Sequence, residues 1–131
     1  MPRTELFTWQ DLPAIAGNGA ERREIVGAGA SLKQVVVKAG TVAPRHSHDH
    51  EQFLLMLEGL ARLETESGTV ELRPGMVVRF DPEIWHAAEF IKNTELVQCF
   101  DRVRQTAAQL GQISKTPSMT KFGNTTNSGF D

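Results

Sequence analysis

The chain carries one cysteine, Cys99, so no disulfide can form within it. Its fold must therefore rest on packing and hydrogen bonding, and the composition suits a reducing compartment. It also lacks an excess of basic charge: 14 Lys and Arg stand against 16 Asp and Glu, a formal net charge of −2. No positive field draws nucleic acid or anionic lipid to it, so neither is expected as a partner. Long apolar runs are missing too. The longest uncharged one, Phe53 to Leu57, falls far short of the roughly 20 residues a membrane-spanning helix needs. Arg3, Glu5 and Asp11 interrupt any apolar stretch a signal peptide would require. These absences lead to the expectation of a soluble cytoplasmic protein.

What is present is ordinary globular material: 131 residues, 40% hydrophobic and 23% charged, enough for one domain. Short β-branched or alternating segments are separated by turn signals. Ser31 to Lys38 stops at Ala39-Gly40, Glu51 to Leu57 at Glu58-Gly59, and Leu60 to Thr65 at Ser67-Gly68. Thr69 to Arg73, Met76 to Phe80, Ile84 to Ile91 and Leu96 to Phe100 continue the series. Such spacing predicts an all-β sandwich or barrel. Apolar and charged residues tend to alternate in Leu60 to Glu64 and Val70 to Arg73, as on half-buried strands. Phe53 to Leu57 is apolar on both faces, which predicts a covering layer from the leading arm with Trp9 and Leu12, or from a second copy in a homodimer. The expected organisation is an arm and leading strand over 1–29, a barrel over 30–104, and a short helix and polar tail over 105–131.

Three of the four histidines fall within His46-Ser47-His48-Asp49-His50, and the fourth is His86. On one extended strand, positions 46, 48, 50 and 52 share a face, so several imidazoles and the Gln52 amide could enter one cavity. His86, on a later strand, would close a metal shell. Taken alone, the His-x-His pair is equally compatible with a surface cluster.

The spacing decides between these. Gly40, His46, His48, Gln52 and Gly59, followed by Gly75 and His86, resemble in order and register the two motifs of the cupin superfamily, over about residues 33–100, with Pro82 one place later than the second motif's usual proline. The resemblance implies a double-stranded β-helix, or jelly-roll, barrel holding one divalent transition metal (Zn, Ni, Fe, Mn or Cu) through His46, His48, His86 and Gln52. Gln52 stands where many cupins have Glu, so it is either a ligand or a hydrogen-bonding support for the histidines. Glu83 stands where the family often has glycine. His50 is either a fifth ligand or, if a bulge or turn at Asp49 rotates it, a rim residue.

Met56, Phe80, Trp85, Phe90 and Phe100 are candidates for the cavity wall or simply for core. His46 to Gly59 and Val97 to Arg104 resemble the pectin-degradation cupins that ketonise unsaturated uronates, which implies site roles for Gln98, Phe100 and Arg104. Gln98 replaces an Asp of that family, and an amide cannot carry the proton. Arg104 is either an anion clamp or a solubilising surface charge. The resemblance implies a metal-dependent enzyme acting by Lewis-acid activation of a small sugar-derived or carboxylate substrate. An Fe(II)-dependent dioxygenase and a non-catalytic small-molecule sensor are the alternatives, because the fold alone selects no chemistry.

Overall fold

The computed structural model describes residues 3–101. A 3-10 turn at Trp9–Asp11 precedes ten strands. These are β1 Ile15–Gly17, β2 Ala20–Val26, β3 Ala30–Val37, β4 Val42–His46, β5 Gln52–Glu58, β6 Ala61–Thr65, β7 Gly68–Leu72, β8 Val77–Phe80, β9 His86–Phe90 and β10 Thr94–Asp101. They form a six-stranded sheet in the order β1-β2-β3-β10-β5-β8 and a four-stranded sheet in the order β4-β9-β6-β7. Every pairing is antiparallel. Among the described residues no helix is long and apolar enough to cross a membrane.

Alternation fixes which side of each strand is inward. On β10, Thr94, Leu96, Gln98 and Phe100 are buried and the residues between them are not. Because β10 lies between β3 and β5, its inward residues stand in rows. Val35, Leu96 and Met56 are one row, and Ser31, Phe100 and Gln52 another. The aliphatic row is at most 1% exposed. It meets Ala43, Ala61, Leu63, Leu72 and Phe90 of the other sheet in one core. Burying each large aliphatic side chain stabilises the fold by about 1.5–3 kcal/mol. The row holding Ser31 and Gln52 is polar, so the barrel interior changes character along β10.

Two glycine-dependent turns shape this frame. Asn18 and Gly19 both have positive φ, 52° and 75°, and close the β1–β2 hairpin with a two-residue loop between Gly17 and Ala20. An Asn-Gly pair is the favoured sequence for such a turn, so the leading segment contributes two strands. Gly59 has φ 105°, and a Cβ there would lie 2.5 Å from the Asn93 carbonyl oxygen and 2.6 Å from the Thr94 Cα. Only glycine fits that approach.

One expectation is corrected. Residues 46–52 are not one strand: β4 ends at His46, the chain bends at Asp49-His50, and Gln52 opens β5 in the other sheet. On the apolar β5 segment the two sides differ. Leu54 and Met56 are 9% and 0% exposed, but Phe53, Leu55 and Leu57 are 41%, 37% and 42% exposed. Their outward face therefore lies open in the described chain. The expected helix and tail over 105–131 lie outside the described residues.

Candidate metal centre

The site begins with a defect in β4. Ala43 faces Ala88 on β9, and two residues further along β9 His86 faces His46, three residues beyond Ala43. The extra residue is a bulge, and it reverses the side-chain alternation. Without it Arg45 would oppose His86. With it, His46 comes to face His86, while the Arg45 guanidinium packs 3.7 Å from the Trp85 ring centre. Pro44 suits this position, since it has no N–H to give a ladder and β4 is an edge strand. The Pro44 carbonyl accepts a hydrogen bond from His46 Nδ1 at 2.7 Å, which leaves the lone pair of the neutral ring on Nε2.

His48 arrives from the loop after β4, and the backbone N–H of Glu83 donates to its carbonyl at 2.6 Å. Glu83 itself has φ 72°, a left-handed conformation that a side chain makes unfavourable by about 1–2 kcal/mol. That is the physical reason glycine is common at this position in the family it resembles. Nearby, Arg79 donates to Glu51 and Asp81 at 2.7 Å each. It thus ties the residue preceding Gln52 to the loop that leads to His86.

Together these devices assemble the cluster. The ring centres of His46 and His86 are 4.4 Å apart, those of His46 and His48 5.1 Å, and those of His48 and His86 5.4 Å. One nitrogen from each ring lies within 4.8 Å of the others. Three donors bonded at about 2.1 Å to one ion can be at most about 4.2 Å apart, so a slight closing of the rings satisfies a metal.

The electrostatics also suit one. Burial pushes the His48 pKa down to about 2, helped by the charges of His46, His86, His50 and Lys33. Burial, with His46, pushes His86 down to about 3 against a backbone hydrogen bond at Ile84. Both rings are neutral at pH 7 and offer lone pairs. His48 Nε2 is enclosed with no hydrogen-bond partner.

Gln52 completes this picture from the opposite sheet. It is fully buried, and neither atom of its amide has a hydrogen-bond partner. An unpartnered buried amide destabilises by about 1–3 kcal/mol per group unless something else binds it. Gln52 stands across from Phe80 in the β5–β8 register, and the Phe80 ring stacks on His86 at 4.1 Å and 18°. The donor set therefore fits a divalent cation: three imidazoles, at least two of them neutral, and one amide.

The surroundings divide by side. His50 stacks on His48 at 5.1 Å and 12° and meets the Phe100 ring edge-on at 5.1 Å; it lies beside the three-histidine cluster, not in it. Phe100 carries the Lys33 ammonium 5.0 Å from its ring centre. Lys33 was not singled out by the sequence reading, although its place two residues after Ser31 and two before Val35 in a strand predicts a shared face. Gln98 is 1% exposed and pairs in register with Lys33 on one side and Leu54 on the other. On the other side of His46 and His86 lies a small cavity of about 20 Å³ lined by Gln98 and by apolar residues including Ala43, Ala61, Ala88 and Phe90. Met56 is core, and Trp85 packs against Arg45 instead of lining that cavity. Arg104 lies outside the described residues.

A family model described as cupin domain matches residues 33–99. No curated protein sequence matches. Solved structures do. KdgF from Halomonas sp. aligns at 19% identity and a TM-score of 0.69, over 74% of this chain and 94% of its own. An RmlC-like cupin from Shewanella frigidimarina aligns at 19% identity and 0.69, over 80% and 97%. The Bacillus subtilis oxalate decarboxylase, a protein with Mn(II) centres, aligns at 18% identity and 0.66, over 78% of this chain but only 30% of that one. At these identities the likeness concerns the fold.

Proposed function

The chain belongs to the cupin family, and from that membership we propose that it is a metal-dependent enzyme acting on a small oxygenated substrate, sugar-derived or a carboxylate. His46, His48, His86 and Gln52 would hold one divalent transition metal, with Mn(II), the ion of the oxalate decarboxylase neighbour, among the candidates alongside Zn, Ni, Fe and Cu. The observation that carries this reading is the convergence of three imidazole nitrogens within 4.8 Å of one another, to which the buried, unpartnered Gln52 amide adds a further donor from the strand that pairs with Phe80. A bound divalent ion supplies Lewis acidity, polarising a carbonyl or hydroxyl oxygen. Because Gln52 is neutral, the ligand set withdraws none of the ion's charge. The chain's own residues do the rest: Phe100 offers an apolar surface, and His50 stands close enough to the cluster to exchange a proton with a bound substrate.

The small apolar cavity against His46 and His86 favours a second reading, an Fe(II)-dependent dioxygenase, since such a space suits a small apolar co-substrate such as O₂. Metal analysis of the purified protein tests the common premise. About one equivalent per chain is expected, falling at least tenfold in His86→Ala; a metal-free protein that takes up no added divalent ion would refute it. Turnover that strictly requires O₂ would place the dioxygenase reading first. We also infer a homodimer through the open face of the six-stranded sheet.

A further inference from the structure

A metal ion can satisfy only one end of the Gln52 amide. The side chain is fully buried, and neither Oε1 nor Nε2 has a hydrogen-bond partner. An amide oxygen carries lone pairs and can bind a cation, whereas the amide nitrogen offers only its N–H donors. Once the oxygen is taken by the ion, those buried donors are still unanswered. Buried polar groups in that state are rare in folded proteins, because each has given up its bonds to water.

The position of Gln52 says where an acceptor has to come from. Leu54 and Met56, two and four residues further along β5, belong to the core, so Gln52 shares the inward face of its strand. Its register neighbours are Phe80 on β8 and Phe100 on β10, and neither ring offers an oxygen or nitrogen to the amide. Both lead to the histidines. The Phe80 ring stacks on His86, and the Phe100 ring meets His50, which stacks on His48. Among the described residues nothing accepts from Nε2, so its acceptor arrives with a ligand. An ionised Glu here would accept only; it would repel an anionic oxygen and lower the charge of the loaded site. The amide keeps that charge and adds a donor. Both differences favour an anionic oxygen, since a hydrogen bond to one is roughly twice as strong as a neutral one.

We propose that Gln52 Nε2 donates to the substrate while Oε1 serves the ion, so that the site selects small organic acids with one oxygen for the ion and an anionic oxygen for the amide. This rests on the metal-centre reading and adds a substrate-recognising role to a residue that served there only as a ligand. The competing explanation is an ordered water on Nε2.

Calorimetry with glycolate separates the two, using the wild type, Gln52→Leu and Gln52→Glu, each saturated with Co²⁺. Gln52→Leu removes the donor and leaves the charge of the site unchanged; Gln52→Glu removes the donor and lowers that charge. Glycolate should bind about tenfold more weakly to Gln52→Leu, and more weakly still to Gln52→Glu. Co²⁺ uptake, titrated first, should be weaker in Gln52→Leu and tighter in Gln52→Glu than in the wild type. In the metal-free state Gln52→Leu should unfold at a higher urea concentration than the wild type, because an apolar side chain replaces an unanswered amide. A glycolate affinity equal to the wild type in either variant overturns the proposal and gives Nε2 to water, and a Co²⁺-loaded wild type that binds no glycolate overturns it as well. A lower urea midpoint for metal-free Gln52→Leu does the same, by showing that the amide already has a partner. A wild type that takes up no Co²⁺ brings down the metal reading itself, a failure seen before any glycolate is added.

Discussion

At the scale of single residues, the site is defined as much by missing carboxylates as by histidines. Gln98 stands where the uronate-ketonising cupins it resembles carry an Asp, and its amide can neither take nor give a proton at neutral pH. The native protein should therefore ketonise an unsaturated uronate slowly or not at all. Gln98→Asp places a carboxylate beside Lys33 in the register, where the ammonium favours its ionised form. A gain of at least tenfold in ketonisation is expected in that variant, read from the loss of the substrate's ultraviolet absorbance. Fast turnover by the native protein would show the carboxylate to be dispensable.

The same residues set an acid limit on stability. In the unfolded chain His48 and His86 titrate near 6.5, but in the fold they are pushed down to about 2 and about 3. Below pH 6.5 the unfolded state thus takes up protons that the folded state refuses. Stability of the metal-free protein should be fully present above about pH 6.5 and decline as pH falls toward 3. Its slope should approach about 1.4 kcal/mol per pH unit for each ring. Urea midpoints between pH 7 and 5 measure it, and a flat profile over that interval would contradict the burial of these rings.

At the scale of elements, turns and bulges matter more than strands. The sequence pattern was sufficient for β3, β5 to β8 and β10, because alternation and glycine turns are local signals. It was sufficient also for which histidines converge, because the two motif spacings place His46, His48 and His86 in one family's register. It did not reveal how they converge. The bulge at Pro44-Arg45 depends on β4 pairing with β9, a partner 40 residues away, and no local period announces it. Nor does composition report that Lys33 points inward; that follows only once β10 covers β3. The motif glycine at 59 does have a local reason that can be measured. Gly59→Ala combines a strained φ of 105° with a Cβ pressed onto Asn93 and Thr94 backbone. It should destabilise the fold by about 2 kcal/mol or more in urea unfolding. A loss below about 0.5 kcal/mol would mean that the β5–β6 turn relaxes freely.

At the scale of the whole molecule, the two faces of the six-stranded sheet differ in what they ask for. Its inner face is a sealed core leading to the histidines. Its outer face presents Phe53, Leu55 and Leu57 of β5, Leu32 and Val36 of β3, and Val77 of β8, all between 37% and 59% exposed. Register makes these neighbours: Leu55 stands beside Val97 and Val77, and Phe53 beside Cys99, which in turn faces Leu32. Contiguous apolar surface of this kind is uncommon on a monomer, and a two-fold axis lets one such face cover its own copy. Sedimentation at tens of micromolar should therefore give a dimer. Leu55→Lys, which sets a charge at the centre of the stripe without disturbing the buried side of β5, should shift it to monomer by at least tenfold in dissociation constant. Metal uptake should survive that change, since His46, His48, His86 and Gln52 all lie on the inner side. A native protein that sediments as a monomer, or a Leu55→Lys variant that stays dimeric, would move the interface away from this face.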